Sequence, residues 1–163
     1  MYHHCNEITS EEFDKYVVAD IIKEEARKKG ITFALVNIVS GRRCPLIELN
    51  KGVHKVRISV HDSGKRKYDS VCWVGVGFSD LKKLEELPNG FIVVVEKQRY
   101  DYIIVPLLLL KPYLRSFRGG QSFKLWIKAE SYRLGLKYGP KVAHNDLQQI
   151  FDAIENCKCL LHT

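Results

Sequence analysis

The residues best suited to chemistry in this chain are cations placed in groups. HDSGKRKYD, residues 61–69, sets Lys65, Arg66 and Lys67 behind Gly64, which allows a tight turn and lets three charges project together. KPYLRSFRGGQSFKLW, residues 111–126, interleaves Arg115 and Arg118 with Tyr113, Phe117, Phe123 and Trp126. Arg42 and Arg43 form a smaller pair. Such groups neutralise phosphates and release counterions, and aromatics among them can stack bases or belong to a core.

Other constellations point less clearly to chemistry. His3, His4 and Cys5 at one end and Cys157, Cys159 and His162 at the other include enough ligand types for a tetrahedral zinc, yet CxCxxH is not a usual zinc spacing. Ser59, His61 and Asp62 do not read as a hydrolytic triad, because adjacent strand residues point to opposite faces. No nucleophile elbow, phosphate-binding GxxxxGK[ST] loop or dinucleotide fingerprint occurs. Cys44 and Cys72 read as core thiols.

Charge placement is more telling than total charge. The net +7 resolves into +5 over residues 41–70 and +8 over residues 97–141, with −2 over each of 1–30, 71–96 and 142–163. Two basic blocks between acidic segments favour a polyanionic partner. A chain of 163 residues with 45% hydrophobic content suits one domain, residues 1–163. Five cysteines without a secretion signal suggest a reducing, intracellular setting, cytoplasmic or nucleoid/nuclear. The apolar run from Tyr102 to Leu110 is too short to span a membrane, so no membrane partner is expected.

The elements that must position these cations read as follows. Thr9 and Glu12 form a capping box for a first helix, with Ile8 stapling onto Phe13 and Phe13, Tyr16, Val17, Ile21 and Ile22 at helical spacing up to Gly30. Strands follow at 31–39, 46–49, 53–60 and 71–78, the second and third forming a hairpin across Asn50-Lys51-Gly52. On the 53–60 strand, alternation puts Arg57, Ser59 and His61 on one face and Val56, Ile58 and Val60 on the other. Ser79 is placed to cap a short helix that stops at Pro88-Asn89-Gly90. Strands at 91–96 and 102–105 come next, and Pro106 either continues the second or opens a helix. An aromatic strand at 123–127 precedes a last helix at 146–157, capped by Asn145, with Leu147, Ile150, Phe151 and Ile154 on one face. The fold class is α/β, a central mixed sheet flanked by helices.

This order of elements, with VRISV, VCWVGV, FIVVVE and YIIVPLLLL, resembles the core of the PD-(D/E)xK nuclease superfamily, the restriction-endonuclease-like fold. The resemblance covers residues 11–114, with a C-terminal strand and helix over 121–159. It implies a second-strand acid, an acid on the third strand and a lysine two residues later, which together hold Mg²⁺ and activate water. The second-strand acid matches Glu48, but the third-strand positions hold Arg57 and Ser59, and an arginine cannot ligate a metal. An active endonuclease would need relocated groups: Glu12, Glu48 and Asp62 as acids, Lys55 as the basic group, and Glu48 with Asp62 as metal ligands.

The leading expectation is therefore a nucleic-acid-binding domain with a degenerate or rearranged centre, needing Mg²⁺ only if it is active. Its expected partner is duplex DNA, contacted by Arg42, Arg43, Arg57, Lys65, Arg66, Lys67, Arg115 and Arg118. Duplex-acting proteins of this fold often pair their subunits, so a homodimer is expected by analogy. A Mg²⁺-dependent endonuclease and a protein-interaction subunit with a basic face are the alternatives.

Overall fold

A computed structural model describes residues 15–37, 45–63, 71–96, 101–114, 123–128, 132–134 and 140–156. A single 3-10 turn, Lys15–Val17, leads into helix α1, Val18–Lys29. Strands β1 (Ala34–Asn37), β2 (Leu46–Lys51), β3 (His54–Asp62) and β4 (Val71–Val76) follow, then helix α2 (Phe78–Glu85). After these come β5 (Gly90–Glu96), β6 (Asp101–Pro106), helix α3 (Leu107–Leu114), β7 (Phe123–Lys128), β8 (Arg133–Leu134), β9 (Ala143–His144) and helix α4 (Gln148–Asn156).

Six strands form the central sheet in the order β1-β2-β3-β5-β6-β9. Only β3 and β5 run parallel; every other neighbouring pair is antiparallel. The sheet is mixed and flanked by helices, as the sequence pattern predicts. The crossover from β3 to β5 contains β4 and α2, and β4 leaves the main sheet to pair with β7, which pairs with β8.

Alternation along the strands divides the core in two. On one face Val56, Ile58 and Val60 of β3, with Ile47, Leu49, Phe91, Val93 and Val95, meet Val18, Ile22 and Ala26 of α1 and Ile150, Phe151 and Ile154 of α4. On the other, Leu46, Ile92, Val94, Ile103 and Val105 meet Leu81 and Leu84 of α2, Leu107 and Leu110 of α3, and residues of the three-stranded sheet. Strand β5 is covered on both sides, so every residue from Gly90 to Glu96 is buried and its sequence reads as a continuous apolar run.

Local chemistry fixes the joints. Gly30 ends α1 in the left-handed conformation, its N–H directed to the carbonyls of Ala26 and Arg27. The two-residue loop Gly52-Val53 closes the β2–β3 hairpin, and Gly52 supplies the positive φ (62°) at its first position. Pro106 ends β6, and α3 begins at the next residue.

Three expectations need correction. Ile22 of α1 is buried as anticipated and Ile21 packs at the edge of the core, but Val18 and Ala26 complete the buried stripe while Tyr16 is 63% exposed. Ser79 is not the cap of α2: that helix starts at Phe78, after Gly77, with no side-chain cap bond. Asn145 does not cap α4 either. Its side chain is engaged with Tyr102 and Asp101, and Asp146 Oδ1 accepts the Gln148 N–H at the helix start. The capping box at Thr9 and Glu12, the staple of Ile8 on Phe13, Cys44 and the terminal Cys and His residues lie outside the described residues, as does the side chain of Cys72. Among the described residues, no helix is long and apolar enough to cross a membrane.

Candidate nucleic-acid interface

The β2–β3 hairpin sets the geometry of the strand pair on which the metal-binding residues were expected. Counting outward from its turn, Asn50 pairs with Lys55, Glu48 with Arg57 and Leu46 with Ser59. Residues opposite one another share a face, so Glu48 and Arg57 meet side by side. Arg57 Nη2 donates to Glu48 Oε1 at 2.9 Å, and Asn50 Nδ2 donates to Glu48 Oε2 at 3.2 Å. Arg57 Nη1 reaches α2 and the turn after it, donating to the Lys83 carbonyl and to Glu86 Oε2, each at 2.6 Å.

The Arg57 and Glu48 side chains are largely withdrawn from water, 12% and 14% exposed, whereas Glu86 is open to it. The hydrogen bond from Arg57 holds Glu48 below the usual carboxylate range, against the opposing effect of burial and with smaller help from Asn50, Arg57's charge and Lys55. Burial alone disfavours the Arg57 charge, but Glu48 and Glu86 together outweigh it and raise its affinity for the proton. An ion pair so placed contributes little against an apolar isostere, yet losing one partner strands a buried charge.

The remaining expected groups do not converge with it. Lys55 is exposed on the same face. Asp62 follows Arg57, Ser59 and His61 out of phase, so it lies on the opposite face of β3. There its Oδ1 accepts the Lys15 N–H at 2.9 Å, at the entrance to α1. Glu48 and Asp62 therefore do not face a common ion, and Glu48 already has a guanidinium against it. These residues do not fit a divalent cation. Among the described residues, no group of three His, Cys, Asp or Glu could hold a metal. Glu12, Arg42, Arg43, Lys65, Arg66, Lys67, Arg115 and Arg118 lie outside the described residues. Arg57 was expected at a phosphate, but both of its terminal nitrogens donate within the chain.

Further along the same face, Ser59 Oγ and His61 Nε2 lie 2.6 Å apart, and both residues are buried. Burial lowers the His61 pKa to about 4, with a smaller contribution from the Lys15 charge, so the ring is neutral near pH 7. Asp62, on the other face, takes no part. The pair is a satisfied buried polar contact, closed to a substrate.

The described strand ends show how the basic segments are anchored. The register pairs Asn37 with Ile47, Leu46 with Ser59, Asp62 with Val95 and Glu96 with Asp101. The end of β1, the start of β2, the ends of β3 and β5 and the start of β6 thus lie at one end of the sheet. The segments joined there, 38–44, 64–70 and 97–100, carry Arg42, Arg43, Lys65, Arg66, Lys67, Lys97 and Arg99 against a single acid, Asp69.

The Glu48–Arg57 contact was not legible: the expected turn at Asn50-Lys51-Gly52 sets Leu49 against Val53, whereas the two-residue loop Gly52-Val53 sets Glu48 against Arg57, though the hairpin itself was signalled by the sequence. The 2-residue spacing of Ser59 and His61 signalled a shared face. No local signal pointed to Glu86 or the Lys83 carbonyl, which are brought in by the packing of α2.

No family model matches the chain, and no curated protein matches it. Among solved structures it is similar to Archaeoglobus fulgidus Hjc, a Holliday junction resolvase from an archaeal hyperthermophile. The two share 19% sequence identity and superpose with a TM-score of 0.40, over 64% of this chain and 84% of that one.

Proposed function

We propose that this chain is a nucleic-acid-binding protein, with duplex DNA as its ligand, built on a nuclease-like α/β fold whose catalytic centre is degenerate. The observation that carries this reading is the seating of Arg57 against Glu48 at 2.9 Å, on the face where a nuclease of this type would need a second acid. A fixed organic cation there neutralises the carboxylate and occupies one of its oxygens, while Asn50 occupies the other. The anchoring of three basic segments at one end of the sheet supports the binding half of the proposal. A two-fold dimer, in which two copies address two strands, belongs to the same reading and is tested by sedimentation.

Two measurements decide it. Supercoiled plasmid incubated with the protein and Mg²⁺ or Mn²⁺ is expected to stay intact. Cleavage that disappears in Glu48→Ala would establish the endonuclease instead. Binding to a short duplex should weaken steeply with salt, with a log–log slope of roughly −4.5 to −6.3 if about five to seven phosphates are neutralised. No detectable binding at low salt would leave the protein-interaction alternative standing.

A further inference from the structure

Asp101 opens β6 at the end of the sheet where the basic segments are anchored, and it is buried. Its two carboxylate oxygens are divided between Asn145 Nδ2 and the Tyr132 hydroxyl, each donating at 2.8 Å. Asn145 Oδ1 accepts the Tyr102 N–H at 2.9 Å, which ties the segment after β9 back to β6. Tyr132 and Asn145 both have φ of 49°, the only non-glycine residues with positive φ among the described residues. Asparagine tolerates that conformation, but a tyrosine rarely adopts it and needs surroundings that enforce it.

What the arrangement holds in place is a ring. Tyr132 stacks on His144, with centroids 3.7 Å apart and planes within 6°. His144 ends β9, an edge strand of the sheet among the described residues, and is solvent-exposed. The pile of two rings thus finishes on an imidazole open to solvent, braced from behind by a phenol whose hydroxyl is fixed to a buried acid. Lys141, three residues before His144, is exposed, and Lys97 and Arg99 precede Asp101 directly in the chain.

We propose that the Tyr132–His144 pair is a stacking platform for an unpaired nucleobase, which adds a third ring on the outer face of His144. The inference rests on the nucleic-acid reading and narrows it to DNA with a base outside the helix stack. A planar ring with an exposed lysine three residues away in the chain suits a base with its attached phosphate, and a paired base inside a duplex exposes no face to it. An unpaired base stacks on aromatic or histidine side chains regardless of its identity, so the platform confers a structural preference and no sequence code.

The test uses the full chain and two short duplexes, one fully paired and one carrying a single bulged 2-aminopurine, whose fluorescence is quenched on stacking. The wild-type protein is expected to bind the bulged duplex more tightly and to quench it. His144→Ala should abolish the quench and reduce the preference for the bulge roughly tenfold, the scale of one lost base–aromatic stack. His144→Phe, which keeps a ring, should retain both. Quenching and preference that persist in His144→Ala, or a wild-type protein that binds the two duplexes equally, would overturn the platform while leaving nucleic-acid binding intact. Failure to bind either duplex at low salt would overturn both readings.

Discussion

Strand β3 presents two surfaces of opposite chemistry, and the helices covering them differ accordingly. Val56, Ile58 and Val60 are fully buried against α1 and α4, where shape and apolar area determine the fit. Arg57, Ser59 and His61 alternate with them and face the α2 side. There the polar side chains are held by specific partners: Glu48, Glu86 and a carbonyl for the terminal nitrogens of Arg57, whose Nε is buried without a partner among the described residues, and one another for Ser59 and His61. The apolar face tolerates changes that conserve volume. The polar face is sensitive to charge and proton concentration, because an unpartnered or newly charged group there has no water to turn to. One strand thus separates stability by packing from stability by pairing.

The largest effect expected from this contrast is on the packed side. Ile58→Ala leaves a cavity under two helices and should cost about 3–4 kcal/mol in urea denaturation. A loss below about 1 kcal/mol would mean that this face is not the tightly packed one.

On the polar side, His61 titrates near 4 in the folded chain against an ordinary 6.5, so the unfolded chain takes up the proton first. Stability should be full above pH 6.5 and fall by about 3 kcal/mol as the pH drops toward 4, levelling below it. The slope over that window should flatten in His61→Gln; a slope unchanged by the substitution would assign the acid sensitivity to other groups.

Arg57→Ala should cost about 2 kcal/mol, less than the cavity but more than an exposed pair, because it strands the Glu48 carboxylate. Adding Glu48→Gln should recover part of that loss, and strict additivity of the two substitutions would dissolve the pairing inferred here. The depressed Glu48 pKa predicts a further contribution that is present above about pH 4.5 and lost as the pH falls through the folded value, in wild type but not in Arg57→Ala.

The smallest stability effect is expected off the strand. Replacing Lys65, Arg66 and Lys67 together by alanine should leave folding within about 0.5 kcal/mol, while flattening the salt dependence of duplex binding by roughly 2–3 in slope. A slope that does not move would detach the basic segment from binding.

The apolar face was readable in advance because it follows from period alone. Val56, Ile58 and Val60 alternate, and Ile150, Phe151 and Ile154 recur at helical spacing, so β3 and α4 emerged with their inner faces assigned. The polar face was readable only within its own strand. The alternation of Arg57, Ser59 and His61 was plain, but that Arg57 would be consumed by Glu86 and the Lys83 carbonyl depends on a helix 26 residues away in sequence. The same limit explains α1: Tyr16 and Val18 are both apolar enough to line a helix, and only packing against α4 and β3 selects Val18. Strand β4 had the residues of a central strand, and its departure into a second sheet rests on pairing with β7, about fifty residues further on.

Arg57 also has a bearing on what single substitutions can achieve. Helix α2 ends without a glycine: Glu86, at its C-cap, stays right-handed, and the Arg57 guanidinium bonds the Lys83 carbonyl in the last turn. The arginine is thus a C-terminal cap supplied from a neighbouring strand, with its charge at the negative end of the helix dipole. Exchanging it for the acid that metal chemistry would use there removes the cap and brings three carboxylates, at positions 48, 57 and 86, together with only the exposed Lys55 as a nearby counter-charge. Gaining a metal ligand at that position therefore means losing a helix terminus, so the route passes through a less stable protein unless α2 changes as well. The fold holds its present chemistry by an epistatic lock, set in a single side chain.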